Sequence, residues 1–259
     1  MKDDKKWNIY HTAVTLENEL KSSEEYKLLE IIIKVNRAIF SVRYNFNQYN
    51  NHLKKFEGKQ LIFVSGIKRW HQQKITSVLI GNYFSSCYSL LDIMENLGFN
   101  NSLKDDLFIK LTREMRNFML HRQVLPITNN EKHWKEEDGQ IHHKSQVTTS
   151  YENIKQYLEN EKSKMKSLIE YFEKKSYEKI PLSEIIFDLK NVLESNFASN
   201  KKQFVNENNK SLIILEEKYK DISQMIIEAD MSHYKAVGIK YRYLRLLLFV
   251  YSENKNKSI

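Results

Sequence analysis

The residues that make turns and cross-links are scarce here: 259 positions include one cysteine, two prolines and six glycines. A lone Cys87 has no partner for an internal disulfide, which points to a reducing, cytoplasmic setting. So little glycine and proline excludes a many-turned all-β chain and favours long helices joined by few turns. No apolar run approaches the roughly 18 residues of a membrane span. Leu246–Tyr251, the greasiest stretch, is far too short. The first residues, MKDDKKWNIYHTAV, mix both charge signs without an apolar core, so no secretory leader is expected. Gly66, Gly81, Gly98 and Gly139 stand isolated, which argues against a glycine-rich phosphate loop and its nucleotide-hydrolysing chemistry.

What is present is a globular composition, 41% hydrophobic and 29% charged. The formal charge of +8 is spread thinly: residues 1–100 carry 14 basic and 10 acidic side chains, 101–200 carry 16 of each, and 201–259 carry 11 and 7. The excess suits a polyanionic partner such as RNA, and equally a lysine-rich solvated surface.

Leu28, Ile32, Val35, Ile39, Val42, Phe46, Tyr49 and Leu53 recur at alternating spacings of four and three, so one apolar seam runs along a helix over 24–54. The run Leu61–Val64 reads as a brief strand or a buried connector. A second helix is expected over 70–97, with Ile80, Phe84, Cys87, Leu91 and Met94 toward the core. Cys87 there reads as a core thiol rather than a nucleophile. Gly81, Ser85 and Ser89 form a small-residue stripe on which another helix could pack closely. Gly98 closes this helix, Ser102 caps the next, and that third helix runs from Leu103 to about Arg122, ahead of Pro126. Asp138-Gly139 is a hairpin signal within a polar stretch. His133, His142 and His143 in that stretch read first as solvated; metal binding, at a spacing matching no standard site, and RNA contact are the alternatives. Thr149-x-x-Glu152 starts a helix to about Lys174, and further helices follow near 182–197, 201–229, after the capping pattern Asn200-x-x-Gln203, and 233–251. The last interleaves Lys240, Arg242 and Arg245 with Tyr241, Tyr243 and Phe249, a mixture able to stack on bases, although docking by its apolar face is the simpler reading.

The third helix carries the informative chemistry. Arg113, Asn117 and His121 are spaced by four and form one polar stripe, opposite Leu111, Met115 and Phe118. A histidine titrating near neutrality can take the proton of a ribose 2′-hydroxyl or give one to a leaving 5′-oxygen. An arginine presents a permanently charged fork to the phosphoryl oxygens as negative charge builds there. Asn117 could orient the imidazole or hold a phosphate. The plain alternative is that these residues line a solvated helix face.

Arg116-Asn117-x-x-x-His121 resembles the Arg-x4–6-His signature of the HEPN superfamily (higher eukaryotes and prokaryotes nucleotide-binding domains), including the polar residue directly after the arginine. The setting, a late helix of a bundle ended by a turn, is similar too, over roughly residues 24–172. With the helices and hairpin signal read above, the expectation is an all-α protein: a HEPN-like antiparallel bundle over 1–174, a packed helical extension over 175–259, and a short β-hairpin near 132–147. The resemblance implies a metal-independent endoribonuclease without cofactor, of the toxin or phage-defence kind, leaving a 2′,3′-cyclic phosphate. Arg116, Asn117 and His121 would be catalytic, and Arg113 and Arg122 would bind RNA. It also implies a homodimer with the motifs facing each other and an antitoxin or defence-system partner protein, while the lack of a long apolar run leads to no expected membrane association. The alternative is a HEPN-like module that binds RNA, nucleotide or protein without cutting.

Overall fold

The computed structural model describes residues 2–55, 66–98, 107–121, 127–135, 140–152, 155, 170, 172–174, 178–229 and 235–251. The fold is helical, as expected. The helices whose bounds lie among the described residues are α1 (Lys2–Lys21), α2 (Glu24–Lys54), α3 (Gly66–Asn96), α4 (Leu107–His121), α5 (Leu182–Glu207), α6 (Asn209–Glu228) and α7 (Lys235–Tyr251), and residues 151–152 and 172–174 are helical too. One small antiparallel sheet joins them, built from β1 (Thr128–Lys135), β2 (Ile141–Ser150) and β3 (Lys179–Pro181) in that order. The hairpin of β1 and β2 was expected; its Asp138-Gly139 signal lies outside the described residues, as do Leu61–Val64, Ser102 and Pro126. The third strand was not expected. Pro181 is tolerated because β3 is an edge strand, where a missing N–H leaves no ladder bond unmade.

Contacts group the chain into two compact units, residues 37–195 and residues 1–36 with 196–259. Both boundaries fall inside helices, α2 and α5. The reason residues 178–195 group with the earlier chain is local. Strand β3 pairs with β2, Ser183 Oγ accepts from the Val147 amide at 2.8 Å, and Tyr49 Oη meets that same hydroxyl at 2.9 Å.

In the 37–195 unit the α2 seam is buried as its spacing requires, from Val42 through Phe46 and Tyr49 to Leu53. Ile80, Phe84, Cys87, Leu91 and Met94 of α3 are buried as well. Burial pushes the Cys87 thiol up to about 12, so it stays protonated and inert at neutral pH, as the core reading required. Ser89 of the small-residue stripe is instead exposed and donates to the Ser85 carbonyl of its own helix at 3.0 Å. Gly98 ends α3 at φ +74°, and its amide reaches the Glu95 carbonyl at 3.1 Å.

The other unit contains a helix that hydropathy did not reveal. The inward face of α1 is Ala13, Glu17 and Leu20, and the buried carboxylate breaks the apolar pattern. Ser23 caps α2 by accepting from the Tyr26 amide at 3.2 Å, and hydrogen bonds from the helix-start backbone, then from the Ser23 hydroxyl, hold the Glu25 carboxyl below its usual range. The core here joins Leu29 and Ile32 to Leu212, Leu215, Tyr219 and Leu244.

The expected helix break at Asn200 is absent. Asn200 sits inside α5 and donates to the Asn196 carbonyl at 3.0 Å and to Asn196 Oδ1 at 2.8 Å, so its side chain is satisfied without capping anything. The break comes at Asn208, which has φ −107° and ψ 15° and makes no side-chain cap bond.

Candidate functional site

Helix α4 presents Thr112, Glu114 and Met115 inward, with exposures of 0%, 4% and 2%. Arg113 is exposed, and Arg116 and Asn117 are half-buried. At about 100° per residue, the arc left free by the buried side holds the positions of Arg116, Arg113, Asn117 and His121 in turn. Sequence spacing placed Met115 on the inward side; nothing in it marked Glu114 as a buried carboxylate. His121 is the last residue of α4; its side chain lies outside the described residues, and so does Arg122.

A residue that motif reading missed organises the arginines. Tyr88 of α3 is half-buried, and the Arg116 guanidinium lies 4.3 Å from its ring centroid. Arg113 approaches the same ring at 5.9 Å. A guanidinium over an aromatic face is held by the ring quadrupole while its N–H edge stays able to bind an anion. Arg116 Nη1 also donates to Asn117 Oδ1 at 3.4 Å. Two cations and one amide are thereby gathered along one edge of the α3–α4 pair. Nothing along the sequence could link Tyr88 to a motif on another helix; only the packing of α4 on α3 brings them together.

Arg116 and His121 do not converge by helix geometry. Five residues correspond to about 140° of rotation and about 7.5 Å of rise. One copy therefore offers an anchored arginine cluster and a histidine position displaced around and along the same helix.

The remaining candidates fare differently. The hairpin register sets His133 opposite His143 and Trp134 opposite His142, so these residues sit on paired strands rather than in a free loop. Among the described residues no group of three or more histidine, cysteine, aspartate or glutamate side chains is gathered as a metal site. On α7, Lys240 is ion-paired with Glu17 at 3.2 Å and Tyr243 is hydrogen-bonded to Asn36, so neither is offered to a base. That helix docks by its apolar face through Val237, Leu244 and Leu247. No helix among the described residues is long and apolar enough to cross a membrane. Comparison of the chain with protein-family models, with curated proteins and with solved structures gave no match.

Proposed function

We propose that the chain is a HEPN-type endoribonuclease that works without a metal ion in the cytoplasm, as a toxin or phage-defence effector. The observation carrying this reading is the anchoring of Arg116 by Tyr88 and Asn117 on the helix that ends in His121. A charge held in place before the reaction stabilises the developing phosphorane more than one that must be ordered during it. The 2′-oxygen attacks phosphorus, its proton passes to a base, and the P–O5′ bond breaks as an acid protonates the leaving oxygen. A 2′,3′-cyclic phosphate and a 5′-hydroxyl result. His121 supplies acid–base catalysis, Arg116 the phosphate clamp and Asn117 an orienting contact, while Arg113 and Arg122 bind flanking phosphates. An antitoxin or other defence-system protein is the expected partner.

The test is incubation of the purified chain with total RNA in excess chelator. Cleavage should proceed at an unchanged rate. Cutting that stops with chelator and returns with Mg²⁺ or Mn²⁺ removes the metal-independent mechanism.

The active unit on this reading is a homodimer. One copy supplies a single histidine, displaced from its own Arg116 by about 140°, whereas in-line transfer uses an acid and a base on opposite sides of phosphorus. A two-fold contact of α4 against α4 would bring two histidines and up to four arginines into one cleft. Sedimentation should give about twice the chain mass of 31.1 kDa. Mixing inactive His121→Ala and Arg116→Ala chains should restore part of the activity if each site draws on both subunits. A monomer fully active at nanomolar concentration excludes the arrangement.

A further inference from the structure

Within the 37–195 unit, one face of α2 carries two large exposed rings. Phe40 and Tyr44 are 66% and 53% exposed, one helical turn apart. Their centroids lie 6.5 Å apart and their planes differ by 24°, so the two faces stand almost parallel. The other exposed side chains of α2 from residue 37 to its end are Arg37, Ser41, Arg43, Asn47, Gln48, Asn51 and Lys54. None of these is aliphatic and none is acidic. The sequence contains no aspartate or glutamate between Glu30 and Glu57. Glu194 of α5 brings a carboxylate near this flank, and it is taken up by Arg43 at 2.9 Å and Lys190 at 2.9 Å.

That composition selects the occupant. Aromatic and arginine side chains mark protein interfaces as well, so charge decides between occupants: exposed Arg37, Arg43 and Lys54 with no exposed carboxylate on this stretch of helix suit a polyanion. Here the apolar contribution is aromatic alone, set among a guanidinium, amides and a hydroxyl. Bases offer flat π-faces to the rings, and their edges and phosphates match amides and arginine. From Arg37 to Asn51 the face runs about 21 Å along the helix, room for several nucleotides.

We infer that Phe40 and Tyr44 are a stacking platform for bases of single-stranded RNA, with Arg37, Asn47 and Gln48 contacting its backbone and base edges. This rests on the reading of RNA as the ligand and extends it to a binding surface separate from the α4 motif. Stacking is tolerant of sequence, so the platform confers a preference for unpaired RNA over duplex, whose base faces are already occupied.

The test uses the full chain and a fluorescein-labelled single-stranded 12-mer with 2′-fluoro riboses, which lacks the nucleophile and survives intact. Anisotropy at one fixed salt concentration should show that Phe40→Leu/Tyr44→Leu binds it at least about tenfold more weakly than the parent chain. Phe40→Trp should retain parental affinity, and affinity for a 2′-fluoro duplex of the same sequence should not change in the double variant. Single-strand affinity within twofold of the parent in the double variant overturns the inference, as does no binding by the parent, or equal weakening for duplex. A parent chain that binds through these rings yet never cuts RNA leaves the platform standing and removes the nuclease reading. A chain that cuts RNA while the double variant binds like the parent does the reverse.

Discussion

Replacing His121 with alanine should lower RNA cleavage by about 10²–10⁴-fold, the usual contribution of a positioned acid or base. Arg116→Ala should cost about 10²–10³-fold, the effect of removing one preorganised stabiliser of a developing oxyanion. The two losses should add to less than their product, since both act on one transition state. Arg116→Lys should not restore activity: a lysine lacks the planar fork that can lie on Tyr88 while presenting two N–H groups to phosphate. Stability should be nearly unaffected by the Arg116 change, because the ring contact is worth about 0.5–1 kcal/mol at a partly exposed site. Rates from initial cleavage of a labelled oligoribonucleotide, with circular dichroism as the control, check each outcome.

The largest effect on stability is expected far along the chain from the motif. Glu17 lies in the α1 face with its side chain 3% exposed, and its Oε1 takes Lys240 at 3.2 Å and Lys21 at 3.4 Å. The Lys240 ammonium also lies 5.3 Å from the Tyr26 ring centroid and 5.6 Å from that of Tyr219. Glu17 Oε2 and the Tyr219 hydroxyl are buried without a hydrogen-bond partner among the described residues. This carboxylate therefore depends on its cations for compensation. Lys240→Met should destabilise the chain by about 3 kcal/mol, at the low end for a broken buried pair because Lys21 remains. Adding Glu17→Gln to Lys240→Met should recover most of the loss, since the charge that needed compensation is gone. Urea denaturation of the two single variants and the double one gives the coupling directly. Additive losses would mean that the pair contributes nothing as a pair.

How much of this was legible in the sequence depended on whether the deciding force was local. The α2 seam was readable because Val42, Phe46 and Tyr49 repeat their period without interruption. The hairpin was readable from Asp138-Gly139 between two pairable stretches. Helix α1 was not, because Glu17 occupies a core position and is compensated by Lys240, more than two hundred residues later. Asn200 and Asn208 offered the same capping chemistry, and each donates to the carbonyl four residues back, at 3.0 Å and 2.9 Å, so nothing local to either side chain marked which of them lies within a helix. Strand β3 is three residues long and exists because β2 offers it an edge. For the candidate site, the sequence supplied Arg116, Asn117 and His121 and their helix. It could not supply Tyr88, whose part depends on the packing of α4 against α3, nor the burial of Glu114.

The chemistry of the product ends tests most directly whether the chain cuts RNA by attack of the substrate's own 2′-hydroxyl. Total RNA treated with the purified chain in chelator should yield fragments bearing a 2′,3′-cyclic phosphate and a 5′-hydroxyl. Those 3′ ends should resist phosphatase alone and become ligatable only after the cyclic ester is hydrolysed and the resulting monophosphate removed, and no fragments should arise with the His121→Ala chain. Fragments carrying 5′-phosphates and free 3′-hydroxyls, or the same fragments from the His121→Ala chain, would contradict the account.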